Sequence, residues 1–144
     1  MLFGGKKKRR IERLLIVEDE PLVAFDNEHF LNHEGFDIVG TVDSVADALA
    51  LIGEAEEIDL LLVDVALSDG SGIDVARAAR ERGIAVMFVT GNCPGEAQEL
   101  AAGCLAKPYA QRDLLLAINA IEAVIDGRKA PRKLPGGFSL FAAA

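Results

Sequence analysis

Polar and apolar positions fall in short alternating blocks along the chain. Arg13-Leu14-Leu15-Ile16-Val17 is an apolar run that stops abruptly at Glu18-Asp19-Glu20 and reads as a buried strand. Pro21 suits the first turn of a helix, where its missing N–H would be unpaired in any case. That helix carries Leu22, Phe25, His29 and Phe30 roughly on one face, as an amphipathic helix would, and ends near Gly35. Phe36 to Val42 is rich in β-branched residues and predicts the next strand. Ser44 is a good N-cap for a helix with Val45, Ala48, Leu49 and Ile52 on its apolar side. Ile58 to Val63 is apolar on consecutive positions and ends at Asp64, as expected of a strand covered on both faces. Ser68-Asp69-Gly70-Ser71-Gly72 is a turn cluster, followed by a helix through Ile73, Val75, Ala76 and Ala79 to Gly83. Ile84 to Val89 predicts a fourth strand, running into Thr90-Gly91-Asn92, and Pro94 to Ala101 a short helix. Gly103 to Ala106 predicts a fifth strand, ending at Lys107-Pro108, and Gln111 to Ile125 a long amphipathic helix. Beyond Gly127, Pro131, Pro135, Gly136 and Gly137 break regular structure, although Phe138, Leu140 and Phe141 are apolar enough to dock on a surface.

Five strand–helix units with short connections predict an α/β fold, a doubly wound five-stranded parallel sheet with helices on both faces, flavodoxin-like in arrangement. Right-handed crossovers restrict the topology further. In such sheets the chemistry collects at the carboxyl ends of the strands.

Composition agrees with one globular domain: 144 residues, 51% hydrophobic and 26% charged. No apolar run is long enough for a membrane span, and no apolar segment follows the basic N-terminal stretch as a secretory signal would require. The net charge of −8 is unevenly spread. Nine of the fifteen Lys and Arg residues lie in 1–10 and 128–144, so 11–127 holds six basic residues against all 23 acidic ones. Such an acidic body repels nucleic-acid phosphates and excludes a DNA-reading core. The reading divides the chain into a basic flexible tail (1–11), one domain (12–126) and a C-terminal tail (127–144). Cys93 and Cys104 are too few for a disulfide framework and lack zinc spacing, which predicts two free thiols in a cytoplasmic protein.

Glu18 and Asp19, Asp64, Thr90 and Lys107 share one property: each stands at the carboxyl end of a predicted strand. Taken singly they are ordinary, since acidic residues suit a helix N-terminus and Asp or Thr often opens a loop. The fold gathers them at one sheet edge. Three carboxylates there repel one another unless a cation sits among them, and their oxygens suit a hard ion such as Mg²⁺. A lysine and a hydroxyl beside that ion meet the needs of a phosphoryl group, and a carboxylate can attack phosphorus to give an acyl phosphate.

From about Arg13 to Ala123 the chain resembles the receiver domain of two-component response regulators. The matching stretches are Leu15 to Glu20, Leu62-Val63-Asp64, Leu67 to Gly72, Thr90-Gly91 and Lys107-Pro108-Tyr109. The resemblance implies that Asp64 is the phosphoacceptor and that Mg²⁺ is held by Asp19, by Glu18 through water, by Asp64 and by the carbonyl of Ala66. Lys107 would pair with the phosphoryl oxygens, and the Thr90 hydroxyl would bond the phosphoryl group when it arrives. The implied donor is a histidine kinase or a histidine phosphotransfer protein. Many receivers carry Phe or Tyr three residues before the strand-end lysine, and here that position is Cys104. With Phe88-Val89-Thr90-Gly91, this resembles the subgroup known for its Phe-Ala-Thr-Gly motif, Val89 replacing the Ala. Tyr109, the nearest aromatic, reads equally as a packing or a signalling residue. The 17 residues after Gly127 are too few for an output domain, so the reading is a single-domain regulator, a stoichiometric phosphoacceptor rather than an enzyme. It would act by protein contact or phosphorelay, with no nucleic-acid partner. The alternative is an interaction module that keeps the fold without the phosphorylation. A haloacid-dehalogenase-like phosphatase is disfavoured because it wants an Asp where Ala66 stands.

Overall fold

The computed structural model describes residues 9–54 and 57–141. Its elements are β1 (Arg13–Val17), α1 (Pro21–His33), β2 (Asp37–Val42), α2 (Val45–Glu54), β3 (Leu60–Val63), β4 (Ala66–Leu67), β5 (Gly70–Ser71), α3 (Gly72–Glu81), β6 (Ala85–Thr90), α4 (Ala97–Leu100), β7 (Gly103–Ala106), α5 (Gln111–Ile125) and β8 (Phe138–Leu140). The main sheet runs β2-β1-β3-β6-β7-β8, and its first five strands are parallel.

The parallel strands are apolar at consecutive positions because alternate side chains enter two separate cores. Leu14, Ile16, Leu60, Leu62, Met87, Val89 and Leu105 face the α1 and α5 side, with Leu31, Leu114, Ile118 and Ile121. Leu15, Val17, Leu61, Val63, Val86, Phe88 and Cys104 face the other side, with Ala48, Ile52, Val75, Ala76 and Ala79 from α2 and α3. The doubly wound expectation therefore holds, and the alternation explains its sequence signature.

The structure departs from the sequence reading at several places. Leu22 is 78% exposed and Phe25 58% exposed, because α1 buries a different stripe, Ala24, Asn27 and Leu31. The helix expected over 94–101 is shorter, a single turn at Ala97–Leu100. Of the N-terminal stretch 1–11, residues 1–8 lie outside the described residues, while Arg9 to Ile11 are anchored. The Arg9 guanidinium lies 3.2 Å from Glu122 and 4.5 Å from the Phe36 ring centroid, and the Ile11 amide donates to Glu122 at 2.8 Å. Cys93 and Cys104 are not free thiols: they are joined in a disulfide, with Cα atoms 6.2 Å apart. Counting cysteines could not show that the β6–α4 loop folds back onto β7.

The C-terminal stretch also carries structure. β8 pairs antiparallel with β7, matching Gly103 to Leu140 and Leu105 to Phe138. The Ala106 amide donates to Gly137 and the Phe141 amide to Ala102, both at 2.9 Å. The Phe138 ring lies where a Gly103 side chain would be, its Cε1 2.7 Å from the position of an added Cβ. Gly103→Ala is therefore expected to dislodge that ring, at a cost of about 1–3 kcal/mol for overpacking. The check is amide exchange: Ala106 and Phe141 should lose protection while β1 and β3 keep theirs.

Candidate functional site

Backbone hydrogen bonds tie the carboxyl ends of the five parallel strands to their neighbours, β1 to β2, β3 to β1 and β7 to β6. The Glu18 amide donates to Val42 at 2.9 Å, the Asp64 amide to Val17 at 3.0 Å, and the Lys107 amide to Thr90 at 2.8 Å. Glu18, Asp64, Thr90 and Lys107 are thus tied through their own backbones to a neighbouring strand. The loop after Asp64 is equally well held. It forms the β4–β5 hairpin, whose Asp69 carboxylate accepts from the Val45 and Ala46 amides at 2.6 and 3.1 Å at the start of α2. Those two amides hold the Asp69 pKa below its ordinary value. Ser44 also caps α2 as expected, accepting from the Asp47 amide at 3.1 Å.

At the centre of the edge, the Lys107 ammonium meets three carboxylates. It lies 2.8 Å from Asp64 Oδ2, 2.8 Å from Glu18 Oε1 and 3.2 Å from Glu20 Oε2. Glu18, Asp64 and Thr90 are buried, and Glu20 is exposed. Burial pushes the Glu18 pKa up, against the pull of Lys107 and the Glu20 amide. Burial works against the charged lysine too, but the hydrogen bonds it donates to Asp64 and Glu18 outweigh that and raise its pKa well above the ordinary value. Three acids around one base leave a net negative site. Oxygens from Glu18, Glu20 and Asp64 lie within 4.8 Å of one another, a donor set that fits a hard divalent cation.

The structure thus brings together Glu18, Asp64 and Lys107, and adds Glu20, which sequence reasoning left out. Glu20 (φ −87°, ψ 109°) is the residue before α1, in the bend after β1, and its carboxylate returns to the lysine. Asp19, between them, lines an adjoining depression of about 290 Å³ with Glu18, Thr41, Asp43 and Asp47. Ala66 reaches the site through its amide, which donates to Asp64 Oδ1 at 3.3 Å. Thr90 pairs with Ala106 in the β6–β7 register, one residue from Lys107. Tyr109 is half-buried against the core on the α1 and α5 side, and its hydroxyl accepts from Asn27 Nδ2 at 2.7 Å. Burial raises its pKa. A groove of about 530 Å³ runs from the lysine along α1, lined by Glu20, Val23, Asn27, Lys107 and Tyr109 among others.

Residues 14–119 match the family of response regulator receiver domains. The chain belongs to that family. The receiver is 35% identical over 113 residues to the transcriptional regulatory protein PdtaR of Mycobacterium tuberculosis, a match covering 74% of this chain and 55% of that protein. It is 32% identical over 102 residues to the phyllosphere-induced regulator PhyR of Methylorubrum extorquens, covering 67% of this chain and 38% of that one. The chain thus spans about half, or less, of the length of these curated relatives. Among solved structures, the receiver resembles a CheY-like receiver domain protein from Methanospirillum hungatei. The TM-score is 0.72 at 27% identity, covering 81% of this chain and 98% of that one. No helix among the described residues is long and apolar enough to cross a membrane.

Proposed function

We propose that this receiver takes a phosphoryl group on Asp64 and passes the signal on by a change in protein contact. The observation that carries the reading is the 2.8 Å contact between Asp64 Oδ2 and the Lys107 ammonium inside a buried acidic cluster. A carboxylate oxygen attacks phosphorus, the bond from phosphorus to the donor's histidine nitrogen breaks, and an acyl phosphate remains on Asp64. Lys107 then turns from the carboxylate to the new phosphoryl oxygens. Glu18 and Asp64 would hold Mg²⁺, with Asp19 and the Ala66 carbonyl as the family resemblance implies and Glu20 within reach of the same oxygens. Bound there, the ion would neutralise charge on the transferring group. The protein is a stoichiometric acceptor rather than an enzyme, acts in the cytoplasm, and falls in the Phe-Ala-Thr-Gly subgroup by Phe88-Val89-Thr90-Gly91 and Cys104.

The donor is a histidine kinase or a histidine phosphotransfer protein. Exposed Leu22 and Phe25 on α1, close in sequence to Glu20, offer it an apolar contact beside the site. On the output side, Thr90 and Lys107 lead into the β6–α4 loop and the β7–α5 loop. A hydroxyl that gains a phosphoryl partner only in one state biases those loops between two arrangements.

Incubation with acetyl phosphate and Mg²⁺ should add one phosphoryl group, roughly 80 Da, to the intact mass, as expected for a single acyl phosphate. The adduct should be absent from Asp64→Asn and absent when a chelator is in excess. An adduct that persists in Asp64→Asn would remove the assignment.

A further inference from the structure

We propose that Cys93 and Cys104 form a reversible redox site, oxidised by peroxide, that locks the β6–α4 loop to β7. Its effect on signalling rests on the phosphoacceptor reading above; the site itself does not.

The pair is asymmetric. Cys93 stands on the exposed loop three residues after Thr90, whereas Cys104 is fully buried in β7, three residues before Lys107. The disulfide therefore ties the loop that leaves the phosphoryl edge after Thr90 to the strand that runs into that edge at Lys107. It also closes a ring of chain around α4, an element one turn long. The Ala101 and Ala102 amides, donating to Ala97 and Val86 at 2.8 Å, hold the end of α4, but between Cys93 and Glu99 the other ties are light. The Ala97 amide donates to Pro94 and the Glu99 amide to Glu96, both at 3.1 Å, and Glu96 meets Arg77 at 3.3 Å in an exposed ion pair that adds little. Ala97 is its buried anchor.

Both redox states can fold. Cys104 lies in the apolar layer that also includes Phe88, Ala97 and Ala101, and a buried thiol behaves there as a small hydrophobe. The sheet does not need the cross-link. The loop alone changes its freedom. Disulfides of cytosolic proteins are usually transient and redox-sensing, which suits a bond with one sulfur in an exposed residue.

The chemistry follows from the exposure. The Cys93 thiol gives up its proton, the thiolate attacks one oxygen of hydrogen peroxide, the O–O bond breaks, and Cys93 becomes a sulfenic acid while the leaving hydroxide takes up a proton to become water. The Cys104 sulfur then attacks the Cys93 sulfur, the S–O bond breaks, and a second water leaves. Two thiols give up two electrons and two protons, and one peroxide is reduced to two waters. In the reverse direction a dithiol reductant attacks the accessible Cys93 sulfur and expels the Cys104 thiolate, and its second thiol resolves the mixed disulfide.

The test uses the full chain, reduced and then exposed to hydrogen peroxide. Alkylation with intact mass should find two free thiols before oxidation and none after, whereas Cys93→Ser should form no intramolecular bond. Hydrogen exchange over residues 91–104 should be about tenfold slower or more in the oxidised protein, since cross-linking removes open-loop conformations. Exchange in β1 and β3 should stay the same. Two thiols that remain alkylatable after peroxide, or equal exchange in the two states, would overturn the proposal. A protein that forms the bond and slows the loop, yet takes no phosphoryl group from acetyl phosphate, would support the redox site and overturn the phosphoacceptor reading alone.

Discussion

Gly72→Ala should destabilise the receiver by about 3 kcal/mol or more and end phosphoryl uptake at Asp64. A Cβ at position 72 would lie 1.9 Å from the Asp64 carbonyl oxygen and 2.9 Å from its carbonyl carbon. Both are backbone atoms, so no side chain can swing aside. The glycine cannot retreat, because its amide donates to Val65 at 2.7 Å and it opens α3 next to Ser71, whose hydroxyl accepts from the Ile73 amide at 3.1 Å. Relief must come from moving Asp64 or the start of α3, and either shift takes the carboxylate away from Lys107. Urea unfolding monitored by circular dichroism gives the stability, and intact mass after acetyl phosphate gives the function. Gly53→Ala is the matched control. Its Cβ would meet nothing within 4 Å, and a helical alanine there should gain up to about 1 kcal/mol. A Gly72→Ala protein as stable as the Gly53→Ala protein would show that the backbone at Asp64 yields freely.

Lys107→Met should convert the site into a pH-dependent weakness. The methionine fills much of the same space but leaves buried Glu18 and Asp64 facing each other with no cation. Breaking a buried pair costs about 3–5 kcal/mol when the remaining charge stays. Carboxyl groups answer by taking up protons instead. Glu18 already has its pKa raised above the ordinary 4.5 by burial, with Lys107 opposing that rise. Without the lysine the rise is larger. An acid with a raised folded pKa contributes stability at low pH, and that contribution is lost as pH climbs from the ordinary value through the folded one. The variant should therefore lose about 2–4 kcal/mol between pH 5 and pH 8 beyond any change in the wild type. In the wild type the Lys107 contribution has the opposite placement. Its raised pKa makes that stability fully present below its ordinary 10.5 and lost only as pH rises above it, so it is intact from pH 5 to 8. Urea midpoints at the two pH values provide the measurement, and millimolar Mg²⁺ should recover part of the loss at pH 8. Equal midpoints at both pH values would mean that the carboxylates do not depend on this lysine.

The parallel sheet was legible because each strand is apolar on both faces and stops at a polar residue. Val17 to Glu18, Val63 to Asp64 and Ala106 to Lys107 mark such stops, and they also place the site residues. What escaped was whatever depends on a partner distant in sequence. Leu22 and Phe25 share a helical face, but the periodicity of α1 does not say which of its two stripes turns inward. β8 is three residues long and sits among Gly and Pro, so its pairing is visible only once Gly103 offers a place for the Phe138 ring. The Cys93–Cys104 bond needs the loop's path, which residue counting does not contain. Within the acidic run, β1 ends at Val17 and the chain bends at Asp19 and Glu20, so residue types alone do not say which of the two carboxylates turns back to the lysine.

The last strand also governs how this sheet meets other sheets. A parallel sheet that ended at β7 would offer a row of unpaired backbone donors and acceptors, the sort of border onto which foreign strands add and from which aggregates grow. β8 occupies that border with a short antiparallel segment from the same chain. On this side of the sheet, opposite the β2 edge, the border that remains is only three residues long, too brief to template much pairing. A version of the protein cut after Gly127 would lose β8 and leave the whole of β7 as an adhesive margin.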